Sequence, residues 1–193
     1  HDKKPFFAGT YFPKFSYSNR IGMIDLIPRI ADVWKHERDK ITETTAHIVD
    51  MLSGLENKRG NTEIDDGVFD KAFARLKSTF DEEFGGFGTS PKFPSPHNLL
   101  FLLRYWKFIG TNSALEMVKK TLKKMRYGGI YDHIGFGFHR YSTDREWLVP
   151  HFEKMLYDQA MLIMAYTEGF QVTGIEDHRQ VAEEIIEYVL RDM

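Results

Sequence analysis

The sequence is 193 residues long and has 26 lysines and arginines against 28 aspartates and glutamates, which gives a formal net charge of -2. A nucleic-acid binder normally shows a basic excess or stripe, so the charge balance argues against that class. The sequence contains no cysteine, which excludes disulfides, a cysteine nucleophile and cysteine-ligated metal sites within it. Hydrophobic residues make up 42%, as in a soluble protein with one large or two small domains.

No membrane-spanning segment or membrane partner is predicted, because the longest apolar stretch, residues 99–109, is interrupted by Arg104 and Lys107. The first residues are charged and no apolar run follows them, so we predict no signal peptide and expect a cytoplasmic location. The sequence begins at His1, and the last predicted helix reaches the final residue. We therefore expect a segment of a longer protein.

The N-terminal region combines one β-prone segment with a helical one. Residues 5–13 are aromatic and bounded by two prolines, which predicts an edge strand or the last strand of a sheet. Apolar residues then recur at helical spacing up to Leu52, which predicts one helix from about Asp25, or two helices broken near His36. Residues 57–64 are polar and are predicted to be a linker.

From residue 65 onward the strong signals are all helical. Two glycine-rich segments, Gly85–Gly88 and Gly128–Tyr131, each close a helical segment. If they mark a repeat, they predict stacked αα-hairpins, but paired glycines can also simply end helices. The spacing of the glycines favours neither of these two interpretations over the other.

The segment 128–158 holds the richest set of chemically active side chains and is largely without helical period, as functional loops often are. It contains three histidines, and histidine is the natural acid/base near neutral pH because its unperturbed pKa is about 6.5. Each residue also has a structural interpretation, since histidines bond main chain and aromatic rings pack. His133, His139 and His151 match no strong metal-ligand spacing, so we predict no metal or other cofactor.

A second segment, residues 85–97, contains three prolines and leads His97 into a helix start. Its glycines form neither a phosphate-binding loop nor a dinucleotide fingerprint, because the residue order and the preceding helix do not fit. The segment is either a rigid connector or a rim loop whose Lys92 and His97 face a cleft.

Three long motifs follow one another along the chain: KPFFAGTYFPK, GGFGTSPKFPSP and GGIYDHIGFGFHRYSTDREWLVPHFEKMLYDQA. Together they closely resemble the spermatogenesis-associated protein 20 family, whose members are large thioredoxin-domain-containing proteins. The resemblance covers nearly the whole chain. Phe136 departs from the pattern, because the family leads us to expect a glycine there.

The resemblance implies a mainly α fold: a C-terminal remnant of a thioredoxin-like α/β domain, then the first αα-hairpins of an incomplete (α/α)6 barrel of the six-hairpin glycosidase type. Residues 1–56 would be the last strand and closing helix of the thioredoxin-like domain, and residues 65–193 the N-terminal part of the barrel. The family's redox cysteine pair would lie before His1. Because a partial barrel leaves apolar helix faces uncovered, we expect the isolated segment to be inactive and to self-associate.

The resemblance also implies that the glycine loops line one mouth of a barrel related to N-acylglucosamine 2-epimerase and other sugar-active enzymes. We hypothesise a carbohydrate epimerase, isomerase or hydrolase that uses general acid/base catalysis. The competing hypothesis is a non-catalytic binding module coupled to the redox domain. The candidate acid/base groups and their partners are His133, His139, His151, Asp132, Glu153 and Asp158; the candidate substrate contacts are Arg140 for an anion, Tyr131, Tyr141 and Trp147 for a sugar ring, and Lys92 and His97 at the rim.

Overall fold

The computed structural model describes residues 3–56, 65 and 67–193. The chain divides into two compact units, one within residues 1–63 and one within residues 64–193. The predicted linker, residues 57–64, lies outside the described residues, and the predicted domain ranges stay predictions. The first unit contains two helices, α1 (Met23–His36) and α2 (Arg38–Glu56).

The aromatic segment 5–13 does not form the predicted strand. Its backbone is irregular, and none of the described residues pairs with it. A strand needs a neighbouring backbone to accept and donate its hydrogen bonds, and local β propensity cannot supply that neighbour. The strand prediction is therefore wrong for this structure.

Helix α1 begins earlier than predicted. The amide of Met23 donates to the carbonyl of Pro13 at 2.8 Å, which satisfies one of the first-turn donors. A helix that began at Asp25 would hold Pro28 in its first turn. Because α1 begins at Met23, Pro28 lies inside the helix. The chain leaves helical geometry at Glu37, with φ -130°, so the break predicted near His36 is confirmed.

The second unit is helical except for one short ribbon. Its helix α4 (Pro96–Ile109) packs on both α5 (Asn112–Arg126) and α6 (Leu156–Thr173), and α6 packs on α7 (Glu176–Asp192), so successive helices form stacked αα-hairpins. Fully buried side chains such as Leu99, Leu122 and Leu162 form one core between them. The elements are α3 (Gly67–Thr79), α4 (Pro96–Ile109), α5 (Asn112–Arg126), β1 (Tyr141–Ser142), β2 (Pro150–His151), α6 (Leu156–Thr173) and α7 (Glu176–Asp192).

This unit contains a repeated turn, at residues 80–87 and 131–138. The first and last residues of each turn form an antiparallel bridge, and in each turn an aspartate amide donates to a glycine carbonyl at 3.0 Å. The donor and acceptor residues are Asp81 with Gly86 and Asp132 with Gly137. A repeat is therefore present, but its second copy is not the predicted segment Gly128–Tyr131.

Phe136 occupies the place in the second turn that Gly85 occupies in the first. Both residues have left-handed backbone, with φ 65° for Phe136 and 66° for Gly85. Glycine adopts this conformation freely, whereas a residue with a Cβ pays a steric penalty there. The departure from the family pattern thus falls where a glycine is favoured, and packing of the Phe136 ring against the core offsets the strain.

Several large apolar side chains of the second unit face solvent, among them Phe108, Ile134 and Leu190, which are 91%, 93% and 83% exposed. Exposed apolar surface of this kind favours association, so self-association of the isolated chain stays a prediction. None of the helices in the described part of the chain has the length and apolar character required to cross a bilayer.

Candidate functional site

Residues 127–155, between α5 and α6, fold around the β1–β2 ribbon. The two strands are antiparallel. Ser142 of β1 also exchanges both main-chain hydrogen bonds with Lys92, each at 2.8 Å. The loop before α4 and the loop before α6 are therefore joined directly through their backbones.

Asp144 shapes the tip of the ribbon. Its carboxylate accepts hydrogen bonds from the amides of Glu146, Leu148 and Val149, at 2.7, 3.1 and 2.6 Å. Burial alone would raise the pKa of Asp144, but these backbone hydrogen bonds outweigh it and hold the pKa below its usual value. Asp144 is consequently ionised, and its carboxylate oxygens are bound to the backbone amides of the turn.

A buried ion-pair network centred on Asp81 also joins the two loops. Its carboxylate accepts hydrogen bonds from Lys92 Nζ at 2.8 Å and from Arg145 Nε and Nη2, each at 2.7 Å. The Lys92 and Asp81 side chains are only 0% and 3% exposed. Burial would raise the pKa of Asp81, but Arg145 and Lys92 hold it far below its usual range.

Trp147 and Lys92, both predicted to contact substrate, belong to this buried network. The Trp147 indole is fully buried and donates to the carbonyl of Phe84 at 2.9 Å. The Lys92 ammonium lies 5.0 Å from the centre of that indole ring. Neither side chain has surface that a substrate could reach in this structure, and both hold the loops together.

The second repeated turn carries the equivalent ion pair, between Asp132 and Lys154, at 2.7 Å. Lys154 also donates to the carbonyl of Phe136 at 2.7 Å and lies 4.3 Å from the centre of the Tyr188 ring. Burial would raise the pKa of Asp132, but Lys154 and two backbone amides lower it to about 2. Asp132 is therefore ionised at neutral pH, and the pair anchors the chain next to Glu153.

Arg140, His151 and Glu153 meet at the base of the ribbon. Arg140 Nη1 lies 2.8 Å from Glu153 Oε2, and His151 Nδ1 lies 3.5 Å from the same oxygen. The Arg140 amide also donates to the Glu153 carbonyl at 2.7 Å. All three side chains are partly exposed, and the hydrogen bond from Arg140 lowers the pKa of Glu153, which is a carboxylate at neutral pH.

Aromatic rings flank these charged groups. The Tyr141 ring stacks on His151 with ring centres 4.8 Å apart, and Phe93 packs against Tyr141 at 4.9 Å. Tyr157 is more than half exposed and its hydroxyl interacts with Arg140. Partly exposed rings beside polar groups can accept the apolar face of a sugar ring.

Asp158, in the first turn of α6, is a half-buried carboxyl. Within the part of the chain that the structure describes, its side chain has no hydrogen-bond or ion-pair partner. Lys154 lies four residues before Asp158 in the sequence, but it is bound to Asp132 instead. Burial raises the pKa of Asp158 against the opposing charges of Arg140 and His97, so this carboxyl is the one best suited to carry a proton.

His139 lies between Phe152 and the Asp132–Lys154 ion pair. Its ring meets Phe152 edge-on at 5.2 Å, and its Nδ1 is buried without a hydrogen-bond partner among the described residues. Burial, and then the charge of Lys154, lower its pKa against the opposing charge of Asp132. His139 is therefore a neutral imidazole at pH 7, which can accept a proton.

Tyr131 and His133 lie in a different cluster, against α7. The Tyr131 hydroxyl donates to Glu184, which also pairs with Arg126 at 3.3 Å. His133 Nε2 lies 3.1 Å from the carbonyl oxygen of Gly128. These two residues do not contact the residues around the ribbon.

The residues that do come together, called the ribbon cluster from here on, are His97, Arg140, Tyr141, His151, Glu153, Tyr157 and Asp158.

Sequence reasoning missed Asp81, Arg145 and Tyr157. One signal could have found Asp81, because residues 81–87 and 132–138 share the pattern Asp-x-x-x-[Gly/Phe]-Gly-Phe. Within the described ranges, no group of three or more histidines and carboxylates is placed to hold a metal ion.

Residues 1–53 match the family model Thioredox_DsbH, described as a protein of unknown function, DUF255. The N-terminal unit therefore carries a segment of a thioredoxin-like family domain, and the expected end of that domain at residue 56 stays a prediction.

Over 98% of its length the chain is 42% identical to spermatogenesis-associated protein 20 of Homo sapiens, and over 97% it is 36% identical to Uncharacterized protein B0495.5 of Caenorhabditis elegans. The chain is a homologue of spermatogenesis-associated protein 20. The resemblance carried by the three motifs is thereby confirmed. The chain spans 25% of the length of human spermatogenesis-associated protein 20 and 26% of the nematode protein.

Two solved structures share the fold. Cellobiose 2-epimerase from Bacillus thermoamylovorans B4167 superposes with a TM-score of 0.56 at 15% identity, covering 65% of this chain and 36% of the epimerase. A sugar epimerase from a ruminal bacterium gives a TM-score of 0.56 at 18% identity, covering 63% of this chain and 34% of that one. These proteins are (α/α)6 barrels, so the predicted mainly α fold built from hairpins of such a barrel is confirmed.

Proposed function

We propose that the full-length protein binds a carbohydrate at the ribbon cluster and converts it by general acid/base catalysis, as an epimerase, isomerase or hydrolase. The observation that carries the proposal is Asp158. It is a half-buried carboxyl with no hydrogen-bond or ion-pair partner among the described residues, and burial raises its pKa, as is common for carboxyls at functional sites. It lies close enough to Arg140 and His97 for their charges to act on it.

The two carboxyls of the ribbon cluster are suited to opposite roles. Burial raises the pKa of Asp158, whereas the hydrogen bond from Arg140 lowers the pKa of Glu153. When the environments of two neighbouring carboxyls shift their pKa values in opposite directions, the carboxyl with the raised pKa is assigned as the acid and the other as the base. Asp158 is accordingly the proton donor and Glu153 the carboxylate, which also holds the imidazole of His151 at 3.5 Å.

Substrate binding falls to the side chains around this pair. The rings of Tyr141 and Tyr157 offer apolar faces, and Arg140 offers hydrogen-bond donors to hydroxyl or acidic groups. The similarity in fold to a cellobiose 2-epimerase and a sugar epimerase supports a carbohydrate as the ligand class. Fold similarity alone does not choose the reaction, because one fold hosts many chemistries.

A non-catalytic binding module is the second candidate. It is favoured by the Arg140–Glu153 pair, whose side chains are 40% and 49% exposed and neutralise one another. A module of this kind would bind the same sugars through the same rings without turnover. Binding and turnover therefore have to be measured together.

We expect Asp158→Asn to lower carbohydrate turnover by the full-length protein about 10²–10⁴-fold, the usual effect of removing a general acid. The assay incubates the protein with a panel of aldoses and disaccharides and follows epimer, ketose and hydrolysis products by proton NMR. Asp50→Asn is the matched control, because Asp50 is an exposed residue of α2 outside the ribbon cluster. His151→Ala tests the imidazole in the same assay.

Undiminished turnover by Asp158→Asn would contradict the assigned acid, and undiminished turnover by His151→Ala would remove His151 from the site. If the wild-type protein binds a sugar of the panel but forms no product, the binding module replaces the enzyme.

A further inference from the structure

Helix α5 carries an unusual concentration of positive charge for a chain whose net charge is -2. Its sequence NSALEMVKKTLKKMR contains five cations and one acid. Lys119 with Lys123, and Lys120 with Lys124, are like-charge pairs one turn apart, which destabilise a helix where a Glu–Lys pair would stabilise it. The apolar face of α5 explains its packing but not this choice of polar residues.

These cations line a concave groove and not a convex, fully solvated face. The groove encloses about 610 Å³ between α5 and the turn that joins α6 to α7. The buried side chains of Leu122, Tyr166 and His178 contribute to its lining. Its polar lining residues are Glu116, Lys119, Lys120, Lys123, Lys124, Arg126, Tyr127 and Asp177.

The two acids that line the groove already have partners. Glu116 pairs with Lys119 at 2.8 Å, and Asp177 accepts a hydrogen bond from the Tyr127 hydroxyl at 2.6 Å. Arg126 is paired with Glu184 outside the groove lining, at 3.3 Å. Four lysines therefore face two carboxylates in the groove, and the excess charge is positive. Fields of one sign are strengthened inside concave surfaces with low-dielectric walls.

Three of the lysines have no carboxylate partner among the described residues. Lys120 donates only to the carbonyl of Glu82, at 2.5 Å, and Lys124 lies only over the Phe84 ring, 5.3 Å from its centre. Lys123 has no hydrogen-bond or ion-pair partner in the described part of the chain, and it is exposed. Lys123 and Lys119 lie one turn apart on the same face of α5, so their ammonium groups can bind one ligand together.

We propose that this groove binds a small phosphate-bearing anion. Lysine ammonium groups bind phosphate as point charges, and a ligand with two to four negative charges would relieve the repulsion between the lysines. Outside α5, 21 lysines and arginines are outnumbered by 27 aspartates and glutamates, which argues against a long nucleic acid, because that ligand needs an extended basic surface. The groove does not include the residues of the ribbon cluster, so this site is independent of the proposed carbohydrate chemistry.

The test is titration of the 193-residue chain with inorganic pyrophosphate at constant ionic strength, followed by calorimetry and by amide chemical shifts. We expect saturable binding at one site, with shifts concentrated in α5 and the α6–α7 turn. The double variant Lys119→Gln/Lys123→Gln is expected to bind at least about tenfold more weakly, since hydrogen bonds to charged groups contribute enough for that change. Glucose 1-phosphate as a second ligand distinguishes a phosphate ester from a free diphosphate.

The matched control is Lys71→Gln/Lys77→Gln, which removes the same charge from exposed positions of α3. This control is expected to leave the affinity within about twofold of the unsubstituted chain, because screening at physiological salt weakens distant surface charges. Equal weakening by both double variants would show a response to net charge alone and overturn the proposed site. Titration without saturation would overturn it as well.

Discussion

Asp81→Asn is expected to destabilise the helical unit by about 3–5 kcal/mol, the cost of breaking a buried ion pair by removing one partner. The substitution removes the charge opposite the Lys92 ammonium, whose side chain is 0% exposed, and also opposite the two donors of Arg145. The buried lysine must then lose its proton or stay charged without a carboxylate, held only by the Arg145 carbonyl at 2.9 Å and the Trp147 ring. Chemical unfolding of the 193-residue chain measures the change in the free energy of unfolding.

Two further substitutions make this experiment specific. Glu83→Gln removes an exposed carboxylate that lies 3.3 Å from Arg145, and it is expected to cost about 0–1 kcal/mol because water screens the pair. Asp132→Asn removes the equivalent ion pair of the second turn, whose side chains are 14% and 30% exposed, so its cost should fall between the other two. If Asp81→Asn costs no more than Glu83→Gln, the buried network does not hold the two loops together.

Gly86→Ala is the second substitution expected to have a large effect. A Cβ at this position would lie well inside van der Waals contact with the buried Trp147 indole and 3.1 Å from Lys92 Cε. The backbone has φ 75°, so the substitution also incurs the left-handed penalty of about 1–2 kcal/mol. Overpacking against the indole adds about 1–3 kcal/mol.

Gly88→Ala separates these two contributions. Gly88 has the same φ, 75°, but a Cβ there meets no atom within 4 Å. Gly88→Ala should therefore cost only the backbone penalty of about 1–2 kcal/mol. Thermal or chemical unfolding should show that the Gly86→Ala variant is clearly less stable than the Gly88→Ala variant. Equal losses in the two variants would show that Trp147 does not pack against Gly86 in solution.

The helical elements could be predicted from the sequence because their signal is local. Apolar residues at helical spacing predicted a helical second unit, and they left open the break near His36 that separates α1 from α2. The same local reasoning predicted a strand at residues 5–13 that the structure does not form, since a strand exists only with a partner that local sequence does not specify.

The candidate site was predictable as a segment but not residue by residue. Aromatic and basic side chains look alike in sequence whether they face solvent or the core, so Trp147 and Lys92 were grouped with Tyr141 and Arg140. Burial separates them, and burial is decided by contacts between distant parts of the chain, such as Lys92 with Asp81. His133 differs from His151 for another reason, because its ring contacts the nearby main chain of Gly128 and not the ribbon.

The most direct test of the proposed acid is the titration of the Asp158 carboxyl, followed by carboxyl carbon NMR in the selectively labelled chain. We expect a pKa above the usual aspartate value of about 3.9, because burial disfavours the charged form. Asp132 provides the internal comparison, with a pKa of about 2. Arg140→Gln should raise the Asp158 value further, since the guanidinium favours the ionised carboxyl.

The sign of the shift has a consequence for catalysis. A raised pKa keeps the proton on Asp158 to higher pH, so turnover that depends on this acid should fall as pH rises through that pKa. An Asp158 carboxyl that titrates above 3.9 and above Asp132 is the result that the proposed acid/base site requires. A carboxyl that titrates at or below that value, unaffected by Arg140→Gln, would contradict the assignment of Asp158 as the proton donor.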